Sequence, residues 1–332
     1  MKTDRRSGQK VLVVSTGGTI ASRYDPDENA LISVATGEEL LSTLGMLAPD
    51  VDVVVEEFSN VGSNRIDLNT SFRLARQIDK WLRDDTISGC VVTHGTDTLE
   101  ESAFLAGLVV SSPKPVAFTG AQRGADQPDA DGPRNLADAI AVAASPDARD
   151  LGSLVVFAGK VLAAIDATKV HTSRLAAYDS SAFGPLGEVD HGAVLITRRL
   201  SGYPRIKAEL IEPRVDLITL AMGADSRLFD AAVASGARGI VLEAFGRGNA
   251  TPAVVAAVAR ASQKGIVTVV ASRCPEGRVL PLYGDGGGRD LEDAGAFFAG
   301  RLRGPKARVL LCLALANKPM GEIADLFEQF GR

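Results

Sequence analysis

Histidine and cysteine are scarce, with three of each in 332 residues. Cys90, Cys274 and Cys312 stand far apart, without the close pairs of a zinc site or the density of a disulfide scaffold. That usage suits a reducing compartment. His94, His171 and His191 are equally dispersed, and no His-Glu-x-x-His run occurs, so no metal is expected. A Gly-x-Ser-x-Gly elbow is missing too, which leaves a Ser-His-Asp hydrolase without local support. Aromatic residues make up only 5%, and the net charge is −5. Base-stacking platforms and a basic footprint are therefore lacking, and no nucleic-acid partner is expected. No apolar window approaches the roughly 18 residues of a membrane span. The polar start, Met1 to Lys10, leads straight into an apolar strand rather than a signal-peptide core. These absences together predict a soluble cytoplasmic protein without a membrane partner.

What is present is ordinary globular material, 45% hydrophobic and 23% charged, in a chain long enough for one large or two moderate domains. The chain is organised around Lys10-Val-Leu-Val-Val-Ser15-Thr16-Gly17-Gly18-Thr19, an apolar run that stops at two threonines around a glycine pair. A continuous apolar run reads as a buried parallel strand, and Gly-Gly at its end permits a sharp turn. The segment from Ser22 to Ala30 is polar and turn-rich, and reads as a mobile loop over that turn. Thr36 and Glu39 form a capping-box pattern, as do Thr98 and Glu101. Strands are predicted over 51–58, 87–93, 114–119 and 154–157, with helices after the second and third near 98–108 and 135–144. A further helix spans about 72–82, and one more strand is expected from Lys160. Periodicity breaks over 197–215, a linker. Strands over 217–222, 239–245 and 266–271 follow, with closing helices over 306–316 and 322–330. The alternation predicts an α/β fold: a larger N-terminal, doubly wound, mainly parallel sheet domain (1–196) and a smaller C-terminal α/β domain (216–332).

Four strand ends in the first domain carry polar cargo: Thr16 and Thr19, Ser63 and Asn64, Thr96 and Asp97, Thr119 and Gln122. Parallel strands place their carboxyl ends on one side, where ligands bind. Each hydroxyl could instead cap its following helix, but four consecutive turns favour a shared crevice. His94, just before a glycine turn, reads as a structural hydrogen-bonder. The first turn lacks Gly-x-Gly-x-x-Gly and Gly-Lys-Ser/Thr, so no dinucleotide or phosphate cofactor is expected. Hydroxyl chemistry remains. A threonine nucleophile needs an adjacent base, and Lys169 in Asp166-Ala-Thr-Lys169 offers one if it is not a plain surface charge.

Two stretches, Val13-Val-Ser-Thr-Gly-Gly-Thr-Ile-Ala-Ser22 and Val92-Thr-His-Gly-Thr-Asp-Thr-Leu-Glu-Glu101, resemble the two signatures of the bacterial-type L-asparaginase/glutaminase family. Asn60-Val-Gly-Ser63, Thr119-Gly-Ala-Gln122, Gly246-Arg-Gly-Asn249 and Pro305-Lys-Ala-Arg308 extend the likeness over nearly the whole chain. The resemblance implies hydrolysis of L-asparagine to L-aspartate and ammonia without a cofactor, in a homotetramer built as a dimer of dimers. It singles out Thr19 as nucleophile over Thr16, which becomes a turn residue. Lys169 would activate Thr96, Asp97 would hold the substrate α-ammonium, and Ser63 would donate to the α-carboxylate. Asn64, Gln122 and Asn249 complete the substrate contacts. Three departures stand out. Ala30 occupies the place of the family's lid tyrosine, with Tyr24 as a possible substitute. Asn64 stands where many relatives have Gln or Glu. The acidic residue lent by a neighbouring subunit corresponds to either Asp290 or Glu292. A glutaminase-asparaginase, another small-amide hydrolase, or an amino-acid-binding homologue with weakened catalysis are the alternative readings.

Overall fold

The apolar run at the start forms β1 (Lys10–Ser15), with Val11, Val13 and Val14 fully buried. Alternate residues of the strands around it, Val11, Val13, Val91, Ala117, Leu154 and Val156, share one core cluster with Leu136, Ala139 and Ile140. The intervening residues Leu12, Val92 and Phe118 are buried as well, so both sheet faces are covered, as a parallel sheet requires. A computed structural model describes residues 10–33, 35–45, 51–180, 182–200 and 204–331. The chain divides into two compact units, Met1–Arg205 and Ile206–Arg332.

In the first unit, β2 (Ser22–Asp25) and β3 (Ala30–Ser33) follow β1, then α1 (Gly37–Ser42), β4 (Asp52–Glu57) and α2 (Leu68–Trp81). Next come β5 (Ile87–Thr93), α3 (Leu99–Val109), β6 (Val116–Thr119), α4 (Gly132–Ala144) and β7 (Ser153–Phe157). Short strands finish the unit: β8 (Lys160–Ala163), β9 (Thr168–Lys169), β10 (Tyr178–Asp179), β11 (Gly187–Asp190) and β12 (Ala193–Ile196). The large sheet has the order β12-β11-β8-β7-β6-β5-β1-β4. Its β4, β1, β5, β6 and β7 are parallel, while β8, β11 and β12 add on antiparallel. After β1 the chain adds β4 on one side, then crosses to β5 on the other. The crevice between β1 and β5 is thus the topological switch point, where ligands of open α/β sheets bind.

Two expectations are corrected. The stretch 22–30 is not a mobile loop: Ser22–Asp25 and Ala30–Ser33 pair antiparallel as a hairpin. Its Arg23 and Tyr24 are exposed, so no apolar alternation marked it as strand. Thr98 does stand at the N-cap of α3 but makes no side-chain capping bond. Its hydroxyl donates instead to Ser63 O at 2.9 Å. Thr36, by contrast, forms the full capping box with Glu39.

Among the described residues, 197–214 carry no helix or strand. Arg198 donates to Gly184 O at 2.6 Å, Arg199 to Asp147 O at 2.6 Å, and Arg205 to Ser111 O at 2.5 Å. The second unit holds β13 (Val215–Thr219), α5 (Arg227–Ala234), β14 (Gly239–Ala244), α6 (Pro252–Gln263) and β15 (Val267–Ser272). It ends with α7 (Gly288–Asp293), β16 (Phe297–Phe298), α8 (Gly304–Asn317) and α9 (Met320–Gly331). Its sheet is parallel throughout, in sequential order β13-β14-β15-β16. Ile240, Leu242 and Val270 from its strands share a core with Val254, Ala257, Val258 and Ala261 of α6.

Candidate active site

The carboxyl end of β1 is fixed before any functional group appears. Thr16 donates both its backbone N–H (3.1 Å) and its hydroxyl (2.8 Å) to Thr93 O, at the end of β5. Thr16 is therefore spent on joining the two strands. Gly17 and Gly18 then take φ of 97° and 87°, a left-handed backbone open to glycine at little cost. A Cβ on Gly18 would collide with the backbone of Gly95, so the first and third turns touch main chain to main chain. Thr19 starts the short 3-10 turn Thr19–Ala21, half-buried. Among the described residues its hydroxyl has no hydrogen-bond partner.

The second turn is tied to the first through Thr16 O, which accepts from Val61 N at 3.1 Å and Ser59 Oγ at 3.1 Å. Ser63 is buried, and its Oγ accepts from Asp97 N at 3.2 Å, leaving the hydroxyl proton to donate. A Cβ on Gly95 would fall 2.7 Å from that Oγ. Asn64 and Arg65 are exposed on the same turn.

In the third turn His94 is buried, and Nδ1 lies 2.8 Å from Gly95 O. A carbonyl only accepts, so Nδ1 carries the proton. Burial pushes the imidazole pKa down to about 4, against the smaller opposing effect of that hydrogen bond. His94 is a neutral structural group. Next to it Thr96 is buried, whereas the Asp97 side chain is 67% exposed. Lys169, 18% exposed, spans both: Nζ lies 2.8 Å from Thr96 Oγ1 and 2.9 Å from Asp97 Oδ1.

Lys169 owes this position to neighbours that no sequence motif singles out. Its backbone N–H donates to Glu100 Oε2 of α3 at 2.6 Å, and β9 pairs it with Tyr178 of β10. Tyr178 in turn donates its buried hydroxyl to Thr96 O. Burial, with Glu100 and Asp97 nearby, raises the phenol pKa well above its ordinary value, so it stays a donor.

In the fourth turn the Thr119 hydroxyl is spent on Val156 O at 2.8 Å. Gln122 and Arg123 donate their backbone N–H groups to Asp131 at 3.0 and 2.9 Å. Buried Asn135 donates to Gly120 O at 2.9 Å and accepts from Ala158 N at 3.0 Å. The Gln122 amide nitrogen is left buried without a partner.

Thr19, Ser63, Asn64, Thr96, Asp97, Gln122 and Lys169 all line one cavity of about 490 Å³. Arg65 and Thr172 line it as well and were not foreseen. Tyr24 is not among its lining residues: the ring is 51% exposed and its hydroxyl donates to Asn29 Oδ1 at 2.6 Å. Asn249 lies in the second unit, where its Oδ1 accepts from Gly288 N at 3.3 Å. There Asp290 accepts from Gly286 N at 2.6 Å and Glu292 pairs with Arg289 at 2.8 Å. Among the described residues, no group of three or more His, Cys, Asp or Glu is placed to hold a metal.

Such a cavity can hold a zwitterion between an anion and hydroxyl donors, beside a free hydroxyl and a lysine-bound one. Known proteins share the sequence that builds it. The family model described as "Asparaginase, N-terminal" matches residues 10–201, and "Glutaminase/Asparaginase C-terminal domain" matches 214–327. The chain is 33% identical to "L-asparaginase" of Bacillus licheniformis over 96% of its length and 99% of the relative's. It is 33% identical to "L-asparaginase 2" of Escherichia coli (strain K12), covering 96% and 93%. A glutamyl-tRNA(Gln) amidotransferase component of Archaeoglobus fulgidus is 32% identical, over 96% of this chain and 78% of that protein. With both of its units matched, the chain belongs to the asparaginase family of amide hydrolases.

Proposed function

We propose that the protein is an L-asparaginase, hydrolysing the side-chain amide of L-asparagine to L-aspartate and ammonia with Thr19 as nucleophile. The observation that carries this reading is Lys169 Nζ, bonded to both Thr96 Oγ1 and Asp97 Oδ1 in the cavity that Thr19 lines. A protein that only bound an amino acid would need Asp97 and Ser63 but not a lysine held on a buried hydroxyl.

The chemistry follows from those placements. Asp97 receives the substrate ammonium, and the Ser63 hydroxyl donates to the carboxylate. Thr19 Oγ1 attacks the amide carbon and loses its proton to the leaving nitrogen. The C–N bond breaks, ammonia departs, and an acyl-threonine ester remains. Water then attacks the ester carbon, and its proton passes by way of the Thr96 hydroxyl to Thr19 Oγ1 as the acyl–oxygen bond breaks. L-Aspartate leaves with the Thr19 hydroxyl restored. Lys169 Nζ, donating to Thr96 Oγ1, holds and polarises that relaying hydroxyl. The charges balance at each step without a cofactor. A reducing cytoplasmic setting agrees with the free cysteines Cys90, Cys274 and Cys312. A homotetramer built as a dimer of dimers, receiving Asn249 and an acidic residue from the second unit, belongs to the same reading.

Ammonia release from L-Asn, D-Asn and L-Gln tests it directly. Thr19→Ala is expected to lower kcat at least about a thousandfold, and Lys169→Met about a hundredfold or more. Absence of release from every amide by the wild-type protein would end the enzyme reading, and full turnover by Thr19→Ala would end the nucleophile assignment alone. The match to an amidotransferase component favours one second reading, a glutamine-directed amidase. A higher kcat/KM for L-Gln than for L-Asn would select it.

A further inference from the structure

We propose that Arg65 is a carboxylate-binding, specificity-determining residue of this cavity. The cavity is lined by three charged side chains, Arg65, Asp97 and Lys169. Two of them, Asp97 and Lys169, neutralise each other at 2.9 Å. The Arg65 side chain has no ion pair or hydrogen bond among the described residues, so the lining carries one uncompensated positive charge. It closes the 3-10 turn Ser63–Arg65, two residues after the serine whose hydroxyl proton is free to donate.

An amide substrate of the class proposed above is a zwitterion. Its ammonium faces the Asp97 carboxylate, which it would share with Lys169, whereas its carboxylate would face the neutral Ser63 hydroxyl with no cation of its own unless Arg65 takes part. A guanidinium offers a planar fork of donors that fits a carboxylate, and charge-assisted bonds of this kind are the stronger ones. The product has one more carboxylate than the substrate and a net charge of −1. A cavity of net charge +1 therefore holds product as well as substrate, which predicts competitive inhibition by L-aspartate that weakens with salt. The substrate class selected is an amide with a free α-carboxylate, as opposed to a carboxyl-blocked one.

This inference rests on the amide-hydrolase reading, and the experiment separates the two. KM and kcat for L-asparagine and for its α-methyl ester are measured with wild type, Arg65→Gln and Arg65→Lys. L-Aspartate and its α-methyl ester are titrated calorimetrically against the same proteins. Arg65→Gln should raise KM for L-asparagine about tenfold with kcat within about twofold, because it removes binding shared by ground and transition states. KM for the ester should stay within about twofold, and L-aspartate binding should weaken by about the same factor as L-asparagine. Arg65→Lys should recover part of the loss, and raising salt should shrink the difference. Equal effects on acid and ester, or no effect on either, overturn the proposal. Equal effects accompanied by loss of oligomer would make Arg65 an interface residue and overturn it as well. If the wild type hydrolyses nothing, the activity reading falls and the titration alone decides: unchanged L-aspartate affinity in Arg65→Gln, or none in wild type, overturns the role of Arg65.

Discussion

At the scale of single residues, two buried groups outside the reacting set have opposite pH signatures. His94 has its pKa pushed to about 4 by burial, below the ordinary 6.5. The unfolded chain takes this proton first, so the stability His94 contributes is full above about pH 6.5 and is lost as pH falls toward 4. Asp138, buried on α4, has its carboxyl raised to about 6 by burial, partly offset by Arg134. Its contribution is present at low pH and is lost as pH rises through 6. Between about pH 4 and 6 the two slopes oppose each other. Asp138→Asn should therefore expose the histidine slope, with stability falling on acidification by up to about 1.4 kcal/mol per pH unit more steeply than in wild type. Denaturant midpoints at half-unit pH steps read this out, and parallel curves for the two proteins would contradict it. Thr19, Ser63, Thr96 and Asp97 were legible in sequence because hydroxyls and a carboxylate ended successive apolar runs, whereas Arg65 and Thr172 carry no such pattern. Glu100 and Tyr178 were not legible either: each acts on a backbone group of a residue far away in the chain, Lys169 N and Thr96 O. No local pattern encodes such a contact.

At the scale of elements, the turns after β1, β4 and β5 are tied to one another by hydrogen bonds, while the turn after β6 is held by its own helix α4, through Asp131 at the N-cap and Asn135 within it. Asn135, in the first half of α4, links Gly120 O, Asp131 and Ala158 N in one network. Asn135→Ala would strand the buried Gly120 carbonyl and leave the part-buried Ala158 N–H without its acceptor. A loss of about 3 kcal/mol is expected, seen as a lower urea midpoint at unchanged m-value, with KM rising as Gln122 shifts. Midpoint and KM both at wild-type values would refute this. Bonding between turns also explains why Thr98 departs from its sequence pattern. It has a capping-box neighbour in the chain, yet Ser63 O lies within its reach and takes the hydroxyl. Long buried strands were plain: the strand expected over 87–93 has the bounds of β5. The two-residue strands β9, β10 and β16 are too short to show a period, and β2 exposes both Arg23 and Tyr24. Where burial is two-sided or absent, alternation fails as a signal.

At the scale of the whole molecule, the cavity-lining side chains all come from Met1–Arg205, while Asn249 belongs to Ile206–Arg332. If Asn249 serves a neighbouring copy's cavity, mixing two inactive proteins should restore function. Thr19→Ala and Asn249→Ala subunits, co-refolded from denaturant, are expected to regain about a quarter of wild-type ammonia release, since some mixed sites then receive both residues. No regain in verified mixed oligomers would show that Asn249 does not act across copies. Within the first unit, Gly18 and Gly95 touch through bare backbone, so the spacing of the first and third turns does not depend on any rotamer. That frame works like a socket board: its spacing is set by the main chain, and its pins are the side chains at 64, 65 and 122. Selection or engineering can exchange those pins to admit a different amide without re-solving the packing, whereas a single methyl group added at Gly95 would press on Ser63 and shift the turn that carries two of them.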